Sequence, residues 1–279
     1  MPDKLKKINA PDLRRMKKRG EKIAMLTAYD ATMAKLLDRA GIDVILVGDS
    51  LGMVVLGYDT TVPVTLDDIL HHTKAVTRGV SRPLVVADMP FLTYKISVPE
   101  AVRNAGRLIQ EGGASAVKVE GGEPVIDVVR RLADVGIPVM GHLGLQPQSV
   151  HQIGGFRRQA RNEDEAEQLI SDARELEKAG AFALVLESIP KAVAQAVTAQ
   201  LRIPTIGIGA GPYCDGQVLV SHDAFGLYDE FVPPFVKQYA KLADQIVAAA
   251  GEYAEEVREG KFPAQDKPVP ISTARDKST

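Results

Sequence analysis

Eight short apolar runs recur along the chain, each followed by turn residues and then by a segment with helical spacing. This alternation limits the possible folds more than any other feature. The runs are KIAMLTAY (22–29), VILVGD (44–49), LVVADM (84–89), AVKVEG (116–121), PVMGHLG (138–144), ALVLES (183–188), TIGIGAG (205–211) and QVLVSH (217–222). Between them lie patterns such as ATMAKLLDRAG, TLDDILHHTKAVTRG and EDEAEQLISDARELEKAG. Near-continuous apolar strands are buried on both faces, which calls for a parallel sheet covered by crossover helices. Eight of them in strict alternation with helices predict the α/β class and a single closed (β/α)8 TIM barrel. The competing arrangement is an open doubly wound sheet, which carries a G-x-G-x-x-G turn after its first strand. Here the first strand runs into TAYDATMA instead.

The predicted boundaries are an N-terminal helical arm over residues 1–20, a barrel over 21–261 and a polar, proline-rich flexible tail over 262–279. The arm is expected to cover the lower mouth of the barrel. The stretch 226–260 reads as an eighth helical layer with extended C-terminal helices. Thr65 and Asp68 have the spacing of a capping box. A length of 279 residues suits one α/β barrel, and 45% hydrophobic residues supply a large core.

The charge balance of 34 basic against 36 acidic residues argues against nucleic acid as a partner. No apolar run approaches the roughly 20 residues that cross a bilayer, and the basic N-terminus lacks the apolar core of a secretory signal. One cysteine, Cys214, excludes an intrachain disulfide and fits a reducing, cytoplasmic setting.

The chemistry is expected where the strands end. Barrel active sites sit at the C-terminal ends of the strands, where the loops converge. The second strand then delivers Asp49, the third Asp88, the fourth Glu120 and the sixth Glu187. Like charges that close raise one another's pKa unless a positive group sits among them. A hard divalent cation is the natural partner, and oxygen ligands with residual water suit Mg²⁺. Zinc fits less well, because His71 and His72 are adjacent and no histidine or cysteine cluster has ligand spacing. Any single strand-end aspartate also reads as a cap of the following helix, a reading that weakens as strands repeat the pattern.

Lys118 lies two residues before Glu120 and shares its face of the strand. It reads either as the cation that meets an anionic substrate or as half of a buried ion pair. His142 fits a hydrogen bond to substrate or metal-bound water, and equally a structural histidine. Ser50 offers a hydroxyl to substrate, or a turn cap. GIGAG (207–211) reads as tight packing rather than a dinucleotide motif, and Cys214 as inert. His71, His72, His151 and His222 read as structural or surface residues. The stretch 142–161, with Gly154, Gly155 and several basic residues, reads as a mobile lid or as a solvated loop.

MLTAYD, VGDSLGMVVLGYDTT, VADMPF, VKVEGG, GHLGLQPQSV, FALVLESIP and IPTIGIGAGPYCDGQVLV together resemble the ketopantoate hydroxymethyltransferase family, in order, from about Lys22 to Gly226. The resemblance implies a (β/α)8 barrel that moves a hydroxymethyl group from 5,10-methylenetetrahydrofolate to 3-methyl-2-oxobutanoate with Mg²⁺. It implies Asp49, Asp88 and Glu120 at the metal, and Ser50 and Lys118 on the oxo acid together with Asp49, Asp88 and His142. Glu187 is implied as the general base. It further implies a large cytoplasmic homo-oligomer, often a decamer. Two departures stand out: the lid reads GGFRRQAR, and Tyr213 replaces a usual acidic residue. Two other functions use similar strand-end residues: a Mg²⁺-dependent lyase or mutase acting on a related 2-oxo acid, and a non-catalytic metabolite-binding barrel.

Overall fold

Each of the eight apolar runs holds a strand in the computed structural model, which describes residues 6–263. The strands are β1 (Ile23–Thr27), β2 (Val44–Val47), β3 (Leu84–Asp88), β4 (Ala116–Glu120), β5 (Val139–Gly144), β6 (Ala183–Glu187), β7 (Thr205–Ile208) and β8 (Gly216–Leu219). Every strand pairs in parallel with its sequence neighbours, and β1 pairs with β8, so the sheet closes into a barrel. The open-sheet alternative is thereby excluded. All residues of β2, β3 and β4 are buried, because inward side chains fill the barrel and outward ones meet the helices.

The helices are α1 (Ala10–Arg19), α2 (Ala31–Arg39), α3 (Leu51–Val54), α4 (Leu66–Gly79), α5 (Val98–Gln110) and α6 (Ile126–Asp134). They continue as α7 (Val150–Ile153), α8 (Glu163–Lys178), α9 (Lys191–Gln200), α10 (Ser221–Ala224) and α11 (Leu242–Arg258). Polar side chains start several of them. Asp30, Ser97 and Asn162 each accept a backbone N–H of the first turn, and Thr65 with Asp68 forms the expected reciprocal capping box.

Two apolar cores result. One lies between the sheet and its helices; the other fills the barrel. Leu13 of α1 is fully buried in the inner core, beside Ile23, Leu84, Ala116 and Ala183, which sit at or near the starts of their strands. Lys17 reinforces this closure by donating to Thr198 O and Ile203 O, at 3.0 Å each, and by pairing with Asp215 at 2.9 Å. The N-terminal end of the barrel is thus plugged by α1, and the C-terminal end is left open.

Two sequence expectations need correction. The apolar runs overshoot the strands at their C-terminal ends, so Asp49 and Ser188 lie beyond the ladder, and Ser221 and His222 belong to α10. Asp49 and Ser188 turn toward the mouth instead of continuing the sheet. The stretch 226–260 is not an eighth layer packed on the barrel. No helix forms over 227–241, where Pro233 and Pro234 lack the N–H a helix needs, and α11 contributes no buried residue. The tail over 264–279 and the first five residues of the arm lie outside the described residues.

Candidate active site

The open mouth collects charge from five consecutive strands. Asp49 and Ser50 follow just beyond the end of β2, β3 ends at Asp88, β4 carries Lys118 and Glu120, β5 carries His142 and β6 ends at Glu187. All seven side chains line one cavity of about 620 Å³. Asp49, Asp88, Lys118, Glu120 and His142 are each under 5% exposed, so their electrostatics are those of an interior.

Lys118 sits at the centre. Its Nζ is 3.0 Å from Asp88 Oδ1, 3.7 Å from Glu120 Oε1 and 3.2 Å from His142 Nδ1. The buried ion pair read from sequence is present, with Asp88 nearer than Glu120. His142 links two carboxylates: Nδ1 lies 3.4 Å from Glu120 Oε1, and Nε2 lies 3.1 Å from Glu187 Oε2. The Asp49 backbone N–H donates to Asp88 Oδ2 at 2.9 Å. Ser50 occupies the cap position of α3 but makes no capping bond; its Oγ lies 2.9 Å from Tyr29 Oη. None of the strand-end acids caps the helix that follows its own strand; Glu120 instead accepts the Gln148 N–H in the helical turn at 147–149.

Burial, then Asp88 and Glu120, push the Asp49 carboxyl well above the usual range. Burial also raises Asp88, although Lys118 opposes it. Burial would raise Glu120 too, but His142 and Lys118 bring it below its ordinary value. For His142, burial and Lys118 push downward while Glu120 and Glu187 push upward, and the outcome is about 9. Burial alone would lower Lys118; Asp88, Glu120 and Asp49 overcome it and hold the ammonium above its usual range.

Four carboxylates therefore face two basic groups. Asp88 Oδ1 and Glu120 Oε1 are buried with no aligned hydrogen bond. A divalent cation matches that shortfall of positive charge. Among the described residues no three acidic, histidine or cysteine side chains enclose a metal site by themselves. Mg²⁺, however, is commonly held by one or two carboxylates plus water and substrate oxygen, and Asp49 with Asp88 supplies that pair.

Three contributors were not singled out from sequence. Gln148, 3% exposed, donates through Nε2 to Asp49 Oδ2 and Met89 O, at 2.9 Å each, and through its backbone N–H to Glu120 Oε2 at 3.1 Å. The Tyr94 hydroxyl accepts from Glu120 N–H at 3.0 Å and donates to Gln148 Oε1 at 2.8 Å. Asp223 of α10 enters the cavity from the β8 side. No spacing rule points to these residues, because Gln148 and Asp49 are 99 positions apart. Gln148→Leu is expected to strand the Asp49 carboxylate and the Met89 carbonyl, costing about 1–3 kcal/mol, readable as a lower urea midpoint.

The 142–161 stretch is correspondingly less loop-like than expected. His142, Leu143 and Gly144 belong to β5, and α7 follows a helical turn at 147–149. Gln148 and Val150 are buried, so the first half is anchored by the carboxylates it serves, while Phe156 and Arg158 of the second half line the cavity. Gly144 allows the β5 and β6 loops to meet: its φ is +94°, a Cβ there would collide with the Glu187 carbonyl, and Leu145 N–H donates to that carbonyl at 2.8 Å. Ser188 adopts φ +48°, held by its N–H on Ile208 O and by Gln159 N–H on its own carbonyl. Such backbone strain fixes the direction in which Glu187 leaves the strand. In GIGAG, a Cβ at Gly209 would stand 2.8 Å from Phe235, so this glycine makes room for an aromatic wall. Cys214 is buried, and burial pushes its thiol up, as expected for an unreactive group. Tyr213 is exposed and does not line the cavity. His72 Nδ1 lies 2.6 Å from Tyr29 O, and His222 packs on the Tyr29 ring.

The fold is shared with solved enzymes at low sequence identity. A 2,3-dimethylmalate lyase, described as a PEP mutase/isocitrate lyase superfamily member, aligns with TM-score 0.58 and 17% identity over 94% of this chain and 91% of its own. A phosphoenolpyruvate phosphomutase from Streptomyces platensis subsp. rosaceus aligns with TM-score 0.61 and 15% identity, over 94% and 92% respectively. Sequence relatives are far nearer. A 3-methyl-2-oxobutanoate hydroxymethyltransferase of Moorella thermoacetica is 62% identical over 93% of this chain and 97% of its own. The enzyme of the same name from Syntrophus aciditrophicus is 58% identical over 94% and 96%. The family model described as ketopantoate hydroxymethyltransferase matches residues 7–265. With the strand-end cluster, the barrel and these identities in agreement, the chain belongs to the ketopantoate hydroxymethyltransferase family.

Proposed function

We propose that this chain transfers a hydroxymethyl group from 5,10-methylenetetrahydrofolate to 3-methyl-2-oxobutanoate, giving 2-dehydropantoate for pantothenate synthesis, through an enolate formed at C3. The carrying observation is the meeting of Asp49, Asp88, Lys118, Glu120, His142 and Glu187 in one cavity. The relatives' names supply the substrate.

Asp49 and Asp88 would hold Mg²⁺, with Glu120 beside the ion because its Oε2 is already taken by the Gln148 N–H. The ion supplies Lewis acidity, lowering the cost of charge on the keto oxygen as C3 loses its proton. Lys118 meets the carboxylate of the oxo acid; its three N–H donors and full positive charge are kept by the surrounding acids. Ser50, steadied by Tyr29, donates to the same substrate. Glu187 takes the C3 proton. Its carboxylate contacts His142 through Oε2 and makes no other polar contact among the described residues, so Oε1 is available as the base. His142 orients it, as a third group orients a base in many acid–base sites. The enolate carbon then bonds to the one-carbon unit as both of its carbon–nitrogen bonds to the folate break. Water leaves its hydroxyl on that carbon, the two folate nitrogens take up the C3 proton and the remaining proton of water, and tetrahydrofolate departs.

The test is incubation of 3-methyl-2-oxobutanoate and Mg²⁺ in deuterated water, with and without the folate donor. Deuterium should enter C3 without the donor, and 2-dehydropantoate should appear only with it. Carbon–carbon cleavage without the donor would identify a lyase, and tight binding with no exchange a non-catalytic barrel.

The assembly proposed is a cytoplasmic homo-oligomer, of decamer size. Two features support this: a lone buried cysteine, and the exposed apolar residues of α11, where Ile246, Val247 and Tyr253 are 54%, 73% and 58% exposed. Contiguous exposed apolar surface of this kind marks association. No described helix is long and apolar enough to cross a membrane. Light scattering should give a mass that is a multiple of the chain's own, and deleting residues from Leu242 onward should lower it.

A further inference from the structure

The strand order divides the mouth into two unequal arcs. Charged side chains occupy β2 through β6, whereas β7, β8 and β1 present Ile208, Val218 and Thr27 to the same cavity. Above that second arc, Tyr228, Phe231 and Phe235 from the 227–241 segment form an apolar wall. The cavity holds far more than a small branched oxo acid and falls within the ~300–1,000 Å³ usual for sites that take larger ligands.

One charged group lies on this side. Asp223 is 8% exposed and lines the cavity, yet its carboxylate makes no hydrogen bond or ion pair among the described residues. Burial raises it to about 6. A buried acid without a partner is costly, and no protein group meets this one among the described residues, while the cavity it lines gives a ligand access to it. The chemistry narrows that ligand. A carboxylate repels phosphate and other anions, while an edge bearing two adjacent N–H donors engages both its oxygens at once. Flat rings suit the aromatic wall, and the reacting carbon must arrive beside Glu187 of β6, which is adjacent to β7.

We propose that the β7–β8–β1 arc seats the bicyclic ring of the one-carbon donor, and that Asp223 recognises its 2-aminopyrimidinone edge by accepting from the ring N–H and the 2-amino group. The inference rests on the folate reading above and assigns a specificity residue to it. Asp223 holds the donor; it takes no part in moving the C3 proton.

Binding of tetrahydrofolate, which carries no transferable carbon, tests this on the full chain saturated with Mg²⁺ and 3-methyl-2-oxobutanoate, by calorimetry. The analogue lacking the 2-amino group serves as the second probe. The wild-type chain is expected to bind tetrahydrofolate about 10- to 100-fold more tightly than the analogue, the worth of a hydrogen bond to a charged group. Asp223→Leu should lose most of that preference, and Asp223→Asn should fall between, with circular dichroism melts confirming that both variants fold. Equal preference in all three proteins would overturn the role of Asp223. A wild-type chain that binds the oxo acid but no tetrahydrofolate would instead overturn the folate reading, and this assignment with it.

Discussion

Glu187→Gln is expected to lower turnover by about 10²–10⁴-fold, the usual contribution of a positioned general base, while Mg²⁺ and oxo acid still bind within a few-fold of the wild-type chain. The amide keeps the shape of the side chain and an oxygen able to meet His142 Nε2, 3.1 Å from the present carboxylate, but it cannot accept the C3 proton. Proton removal precedes the arrival of the one-carbon unit, so deuterium exchange at C3 without the donor should fall in step with turnover. If turnover collapses and exchange persists, Glu187 acts after the enolate forms and another group is the base. His142→Asn provides a graded comparison, because it leaves the Glu187 carboxylate in place and removes its orienting contact, together with the contacts of Nδ1 to Glu120 and Lys118; its defect in turnover should be smaller than that of Glu187→Gln.

The barrel was legible because burial on both sheet faces leaves no polar alternation, and VILV, LVVAD and AVKVE carry that mark openly. The strand-end acids were legible for a related reason. A carboxylate at the end of a buried strand has few structural uses, and the barrel rule then places Asp49, Asp88, Glu120 and Glu187 around one mouth. Their partners were hidden. Gln148 and Tyr94 act through contacts between segments 54 residues apart, and neither has a sequence pattern tied to that task. Asp223 follows Ser221 and His222 in what reads as a strand running into a turn, so nothing in its neighbourhood predicts a buried acid without a partner. At α11 the helix itself is legible in the sequence but its packing is not. Its apolar residues have helical spacing, and periodicity says that a face is to be covered without saying by what.

Asp88→Asn separates metal binding from fold. The Asn carbonyl can still accept the Asp49 N–H that Asp88 Oδ2 now accepts at 2.9 Å, but its amide would face the Lys118 ammonium, which lies 3.0 Å from Asp88 Oδ1. One of four acids is lost, and with it half of the Asp49–Asp88 pair that fits the ion. Oxo acid binding in Mg²⁺ is therefore expected to weaken by at least about 100-fold, since even the partners of metal ligands are worth 10–100-fold. Without metal, the variant relieves the repulsion by which Asp88 raises Asp49 but loses the buried ion pair with Lys118, so its melting temperature should lie at or below that of the wild-type chain. Added Mg²⁺ should then raise the melting temperature of the wild-type chain, because a ligand of the native state alone stabilises it by mass action, and should leave Asp88→Asn nearly unmoved. A wild-type melting temperature indifferent to both Mg²⁺ and chelator, with oxo acid bound equally well in either, would mean that these acids were gathered for something other than a cation.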